Sequence, residues 1–457
     1  MIIEISNVYS KIIPDHHEEK VLQALIKKSS VFAPGYRYTY LFKSHKWDGK
    51  VAVYSENILT GLLPSFVLDL QSTYGLVPQF SDLRKLSTVD LKTTKIPLRQ
   101  YQLTAIKAAL SNQWAGTWWP RGVFSMATGS GKSHVAAAMI DMTNLRTLFI
   151  VHRRDLLEQT YGVFRDFGLD VGRVGNSHRD VRKVTIATIQ TLQNMDITEL
   201  SEFKQLFLDE CQLVAADLQR GNQFVKISSQ IPSPLRWGLS GTPFMKDKYS
   251  DRLLEGVTGS VVYEVNNREL INAGYLAEGK VTMYDVPPSE GVSNSWPECY
   301  DDAIVLNSTR NKKVIDSIKN KPKPVLVLVQ KVGHGELLEK MATSAGLDVT
   351  FLSGKDHSDI RKKAKELLQT GHIDAILATS VWDEGIDIPE VRTVILAGGG
   401  KSPIKNLQRI GRGLRLSSGK NEIELVDFLD RGTRWLSAHS RERMKLWKSQ
   451  GFAVTIV

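Results

Sequence analysis

Short apolar runs separated by stretches of helical periodicity dominate the chain from about residue 97 onward. Up to about 262 the runs are 123–126, 147–151, 184–187, 206–208 and 237–239. From about 263 to the end the pattern recurs, at 325–329, 349–352, 375–378, 394–396 and 423–426. Strands buried on both faces read as short continuous apolar runs, and intervening helices supply their cover. Two consecutive parallel-sheet lobes are therefore predicted, over 86–262 and 263–457. Residues 1–85 read differently, as a small α/β domain. There, residues 15–28 place Val21, Leu22, Leu25 and Ile26 on one side of a helix. Residues 36–42 alternate like an aromatic-rich strand, and Lys46-Trp47-Asp48-Gly49-Lys50 reads as a turn into a strand at 51–54. Residues 81–96 look like a polar linker, and 284–300, rich in Pro, Ser and Gly, like a loop.

Composition narrows the class. A chain of 457 residues is too long for one ordinary domain. No run approaches the roughly 18 apolar residues of a membrane span. The start lacks a basic segment followed by an apolar one, so no signal peptide is expected and the cytoplasm is the expected compartment. Two cysteines, Cys211 and Cys299, cannot build a disulfide framework or a four-ligand zinc site. A net charge of +10 favours a polyanionic partner without naming one.

The chemistry concentrates in two places. Ala127-Thr128-Gly129-Ser130-Gly131-Lys132-Ser133 follows an apolar run and precedes a predicted helix over 135–142. Glycines let a backbone wrap a phosphate, and a helix N-terminus adds positive potential. Lys132 is then placed to contact the β and γ phosphates of ATP, and the Ser133 hydroxyl to ligate Mg²⁺. Met126 stands where the phosphate-loop pattern has its first glycine. Downstream, Asp209 and Glu210 end another apolar run. Paired carboxylates at a strand end suit a metal-dependent NTPase, with Asp209 holding Mg²⁺ through water and Glu210 polarising the attacking water.

Asp209-Glu210-Cys211-Gln212 resembles motif II of superfamily 2 helicases, with Gln212 in place of the usual His. Further stretches match the family in order. Leu98-Arg99-Gln100-Tyr101-Gln102 looks like the adenine-recognition motif, which implies Arg99 and Gln102 as nucleotide contacts. Residues 151–157, with Arg153, resemble motif Ia, and Thr188 and Gln190 fall in the next strand-contacting motif. Ser240, Gly241 and Thr242 lie in a likeness of motif III, which couples hydrolysis to lobe movement. Residues 325–330 resemble motif IV. Thr379 and the run through Gly385 and Asp387 resemble motif V. Gln408-Arg409-Ile410-Gly411-Arg412-Gly413-Leu414-Arg415 resembles motif VI, which implies Arg412 and Arg415 as arginine fingers and Gln408 beside them. The resemblance implies two tandem RecA-like lobes. It also implies a nucleic-acid track through Arg153, Thr188 and Gln190 in lobe one and Ser353, Gly354 and Thr379 in lobe two, mostly by phosphate contact.

The Lys-Trp-Asp-Gly-Lys stretch ahead of a compact motor, together with residues 428–452 (His439, Arg441, Arg443, Gly451, Phe452), resembles the UvsW-type helicases of tailed phages. That likeness implies 3′–5′ translocation on branched or forked DNA, in junction unwinding, branch migration and annealing during recombination and replication. Tyr36, Tyr38, Tyr40, Lys43, Lys46, Trp47 and Lys50 make the N-terminal domain a candidate DNA-contacting accessory, and a monomer is the default for such a motor. An RNA helicase of related type, the motor subunit of a restriction system and an ATPase-dead binding scaffold are the alternatives. The intact Lys132, Asp209, Glu210 and Arg412 oppose the last.

Overall fold

The computed structural model describes residues 1–86, 89–213, 223–244, 247–287, 296–379, 390–400 and 422–457. Contacts divide these into two compact units, 1–126 with 131–264, and 265–457 with 127–130.

The first unit begins with a four-stranded sheet in the order Asn57–Leu59, Tyr9–Ile13, Ile2–Ile5, Gln79–Asp82. Helices Glu19–Lys28 and Leu63–Tyr74 pack on it, burying Ile3, Ile5, Leu22, Leu25, Phe66 and Leu70 in one core. The first helix starts later than the periodicity predicts, because the Asp15 carboxylate accepts the His17 and Glu18 N–H groups and turns the chain there. The expected strand over 36–42 is absent. Gly35, at φ 70, opens a 3₁₀ turn, Tyr36–Tyr38, and Thr39 caps a one-turn helix, Tyr40–Lys43. Tyr36 stacks on Phe32 with ring centroids 4.6 Å apart and meets Phe42 edge-on at 4.8 Å, while Tyr38 and Tyr40 stay 85% and 74% exposed. The alternation of aromatics thus marks a knob with its own small core. The expected strand at 51–54 shrinks to Lys50–Val51, paired with Val31–Phe32 at the knob's base.

This small sheet is seated on the larger one. Gly61 lies so close to helix Lys248–Thr258 that a Cβ there would sit 2.1 Å from the Glu255 carbonyl oxygen. Ser65 donates to the Glu255 carboxylate at 2.5 Å, and the Asn7 side chain to the Pro232 carbonyl at 2.9 Å. Buried Arg121 donates to the Asn7 carbonyl, and Arg84 and Arg121 both pack on Trp119.

The larger sheet has eight described strands, ordered His178–Arg179, Val171–Gly175, Val184–Thr188, Thr147–Val151, Gln205–Asp209, Leu235–Ser240, Arg121–Met126, Val261–Val265. The pairs from Val171–Gly175 through Arg121–Met126 are parallel, so their C-terminal ends share one edge. All five expected runs are here, each extended by one to three residues or unchanged.

The second unit repeats the plan with seven described strands, ordered Val349–Leu352, Ala375–Ala378, Val325–Leu328, Thr393–Ile395, Glu422–Asp430, Glu278–Val286, Ala453–Ile456. Every one of these pairs is parallel. Glu278–Val286 runs into the expected loop at 284–300, which also holds the short helix Trp296–Tyr300. The fold is two tandem RecA-like parallel-sheet lobes preceded by a small α/β domain.

Candidate nucleotide site and nucleic-acid face

At the C-terminal edge of the first lobe's sheet, strand Arg121–Met126 feeds a glycine loop and then helix Lys132–Thr143. Gly129 and Gly131 sit at φ 85 and 80, left-handed conformations that cost an L side chain. A Cβ on Gly131 would also lie 2.5 Å from the Gln102 amide nitrogen. Gln102 is 4% exposed, and its carbonyl oxygen accepts the Arg99 N–H at 2.9 Å, closing the first turn of helix Gln100–Leu110. The adenine-motif residue is therefore built into the wall of the phosphate loop. The Lys132 ammonium donates to the Met126 carbonyl at 3.1 Å, across the mouth of the loop, and Ser133 follows it on the helix.

Two strands over, Gln205–Asp209 delivers the carboxylates. Glu210 is held at φ 49, a conformation that non-glycine residues adopt at a cost of about 1–3 kcal/mol and that clusters at functional sites. Its N–H donates to the Asp209 carboxylate at 3.1 Å. Desolvation, with the Glu210 charge adding to it, pushes Asp209 up to about 7, while Lys132 pulls the other way. Two carboxylates facing one ammonium form a donor set that a hard divalent cation suits. Among the described residues no three His, Cys, Asp or Glu side chains gather to hold a metal. Asp209 and Ser133 are the residues that would hold such a cation on the protein side.

Gln212 links this pair to the next strand. Its amide donates to the Glu210 carboxylate at 2.6 Å, and its carbonyl accepts the Ser240 hydroxyl at 2.5 Å. The Ser240 oxygen accepts the Thr242 N–H at 3.0 Å. All three linking residues are buried, Gln212 at 4%, Ser240 at 0% and Thr242 at 7% exposed. Gly241 lies within this turn, so the sequence likenesses of motifs II and III form one hydrogen-bonded line.

The expected nucleic-acid residues divide by availability. Gln190 is exposed and donates to the His152 carbonyl at 3.2 Å, and Arg153 opens helix Arg154–Asp166 beside it. Gly354 is exposed in the second lobe. Thr188 is buried, its hydroxyl 2.8 Å from that of Thr191, and Thr379 is 6% exposed. The Ser353 N–H and hydroxyl both donate to Asp356, at 2.6 and 3.0 Å, so a phosphate would have to displace that carboxylate. Gly385, Asp387, Gln408, Arg412 and Arg415 lie outside the described residues.

Residue patterns gave little sign of a buried network in the second lobe. Arg310 donates to Asp430 at 3.0 Å, and Arg443 donates to Asp427 at 3.0 Å, to the Phe428 carbonyl and to the Gly400 carbonyl. Arginines and aspartates distant in sequence carry no local motif, so only the fold pairs them.

A family model described as "Type III restriction enzyme, res subunit" matches residues 95–245, and one described as "Helicase conserved C-terminal domain" matches 309–417. The two fall in tandem, one on each RecA-like lobe. The chain is a superfamily 2 helicase. This ATP-dependent helicase resembles the ATP-dependent DNA helicase uvsW of Enterobacteria phage T4, at 24% identity over 93% of this chain and 90% of that protein. The helicase is also 24% identical to the DNA 3'-5' translocase XPB2 of Sulfurisphaera tokodaii, over 74% of this chain and 83% of that one. Its fold is similar to that of S. cerevisiae Dbp5 solved with RNA and ADP BeF3, with TM-score 0.54 and 18% identity over 78% of this chain and 89% of the other.

Proposed function

We propose that this helicase is a DNA translocase that runs 3′–5′ on one strand and remodels branched or forked DNA, in recombination and replication. The observation that carries the ATPase half is the hydrogen-bonded line from Asp209 through Glu210 and Gln212 to Ser240, with the Lys132 charge acting on Asp209. Bound Mg²⁺ would supply charge neutralisation on the β and γ phosphates. Lys132 and the loop amides bind those phosphates, Ser133 and Asp209 hold the cation's protein side, and Glu210 orients the attacking water and takes its proton. Arg99 and Gln102 contact the base. Arg412 and Arg415 offset charge on the transferring phosphoryl group, with Gln408, Gly385 and Asp387 beside the nucleotide. Arg153, Gln190 and Gly354 make the exposed phosphate contacts.

The DNA assignment draws on the named activities of the uvsW and XPB2 relatives. The knob supports a duplex contact. Arg37, Lys43, Lys46 and Lys50 lie in the same stretch of sequence as the exposed Tyr38 and Tyr40, with Asp48 the single acid between positions 31 and 51. Basic groups track a phosphate backbone, and each stacked base adds about 1–3 kcal/mol.

An ATPase titration with single-stranded, duplex, forked and four-way DNA and matched RNA tests this reading. Junctions are expected to stimulate most, and Lys132→Ala to abolish hydrolysis while retaining DNA binding. Hydrolysis by Lys132→Ala at the wild-type rate means the site is misassigned, and equal stimulation by RNA moves the substrate to RNA.

A further inference from the structure

In the second lobe, helix Arg434–Ser449 is seated firmly on strand Glu422–Asp430. Thr433 caps it, accepting the Leu436 N–H at 3.3 Å, and Leu436, Ser440, Arg443, Leu446 and Trp447 face inward. The buried Asp427 carboxylate accepts from Arg443 at 3.0 Å and from the Trp447 indole at 2.9 Å. These bonds fix the rotation of the helix, and with it the residues on its outward side. At about 100° per residue, positions 434, 438, 441, 445 and 448 fall within about 80° of one another, opposite the buried face. They are Arg434, Ala438, Arg441, Lys445 and Lys448, and all are exposed. The cations form a straight stripe about 21 Å long, at about 1.5 Å per residue.

Other exposed cations of this lobe have acids at hand. Lys331 pairs with Asp301 at 2.5 Å and Arg431 with Asp285 at 2.8 Å. Asp316 shares the outward side of helix Ser308–Asn320 with Lys312 and Lys319, and Asp359 and Glu366 lie exposed on helix Ser358–Gln369. Helix Arg434–Ser449 has one acid, Glu442, on the flank of the stripe. Among the described residues none of the four cations pairs with a carboxylate. Like charges aligned on one helix face repel, and an anion lying along them relieves that repulsion. The stripe carries no exposed aromatic ring. Trp447 is buried, and Trp435 is half-buried with the Arg434 guanidinium 5.1 Å from its ring centroid. It therefore lacks the stacking platform of a single-strand groove. A straight, rigid row of cations instead suits a straight, rigid row of phosphates. A DNA duplex presents one charge about every 1.7 Å, or about twelve over the length of the stripe.

We propose that the outward face of helix Arg434–Ser449 is a duplex-binding surface, on which Arg434, Arg441, Lys445 and Lys448 track the phosphate backbone without reading sequence. This rests on DNA being the substrate, as read above. Such contacts set affinity and its dependence on salt, and carry no base information.

Fluorescence anisotropy of a labelled blunt duplex and of its single strand, titrated across a range of salt concentrations, tests the surface. Each phosphate contact contributes about 0.9 to the slope of log affinity against log salt on a duplex. Arg441→Gln with Lys445→Gln and Lys448→Gln is expected to flatten the duplex slope by roughly 3 and to weaken duplex binding roughly tenfold or more. Tm and the affinity for the single strand are expected to stay close to wild type, since all three positions are exposed. Lys312→Gln with Lys319→Gln and Lys340→Gln is the control, removing the same charge from other exposed positions of this lobe. It is expected to keep the wild-type slope. A wild-type slope in the stripe variant overturns the surface, as does an equal change in the control. Equal losses on duplex and single strand overturn the duplex assignment. A wild-type protein that binds neither DNA instead sinks the reading of function on which the stripe rests.

Discussion

At the residue scale, the substitution of Gln for the family's usual His in motif II is resolved by geometry. Gln212 makes both bonds that a linking side chain needs, one to Glu210 and one to Ser240. Its loss should therefore uncouple the carboxylate from the following strand without emptying the phosphate loop. Gln212→Ala is expected to lower DNA-stimulated kcat roughly tenfold, while Gln212→His retains most of it; a steady-state ATPase assay decides, and wild-type turnover in the alanine variant would remove Gln212 from the line. A second residue sets acid sensitivity. His334 is fully buried, its Nε2 is 3.0 Å from the Asn311 carbonyl oxygen, and among the described residues its Nδ1 has no hydrogen-bond partner. Burial, with the Arg310 charge adding to it, lowers its pKa to about 3 from 6.5. Between those values the unfolded chain holds a proton that the folded lobe refuses. The contribution is fully present above about pH 6.5 and is lost as pH falls toward 3, amounting to about 2 kcal/mol by pH 5. Urea titrations at pH 7 and pH 5 are expected to show a smaller pH-dependent loss in His334→Gln than in wild type, and equal losses would assign the acid sensitivity elsewhere.

At the element scale, the seating of the small sheet on helix Lys248–Thr258 depends on a backbone-to-backbone approach. Gly61→Ala places a methyl against the Glu255 and Gly256 carbonyls, neither of which can rotate away. A loss of about 1–3 kcal/mol is expected, read as a lower Tm with an unchanged KM for ATP; an unaltered Tm would mean the seam opens freely. The ten apolar runs were legible because strands covered on both faces need no alternation. Five other described strands of the two lobe sheets were not. Val171–Gly175 is interrupted by glycines, His178–Arg179 is polar and Glu278–Val286 mixes polar with apolar positions, while Val261–Val265 and Ala453–Ile456 are short, partly exposed strands at sheet edges. The aromatic stretch at 36–42 misled for the opposite reason. Its spacing fits a strand, but Gly35 and Thr39 impose turn and cap geometry that outranks periodicity. In the site, the phosphate loop and the carboxylate pair were readable because neighbours in sequence do the work. The Gln212–Ser240 bond and the Arg310–Asp430 and Arg443–Asp427 pairs join residues far apart in the chain, and no spacing announces them.

At the scale of the whole molecule, the first 85 residues face two ways. One side is structural. Asn7, Gly61, Ser65 and Arg84 meet the first lobe through buried or hydrogen-bonded contacts, and Arg121 of that lobe would lose its Asn7 acceptor if they were removed. Arg121 is buried, and desolvation already drives its pKa well below the usual guanidinium value. Stripping the segment would leave that charge, Trp119 and the Gly256 face of helix Lys248–Thr258 uncovered. The seam makes deletion of residues 1–85 a folding lesion, expected to lower solubility and ATPase together in an expression and ATPase assay. The other side is the knob, whose Tyr38 and Tyr40 rings are mostly solvent-exposed. Substituting those two rings leaves the knob's own core of Phe32, Tyr36 and Phe42 in place. Tyr38→Ala with Tyr40→Ala is therefore expected to preserve Tm and the ATPase stimulated by single-stranded DNA, and to weaken unwinding of a forked duplex by roughly tenfold, the equivalent of losing about one stacked base. Unwinding at the wild-type rate by that double variant would take the knob out of the DNA interface, and a matching fall in ATPase would place the rings in the motor instead.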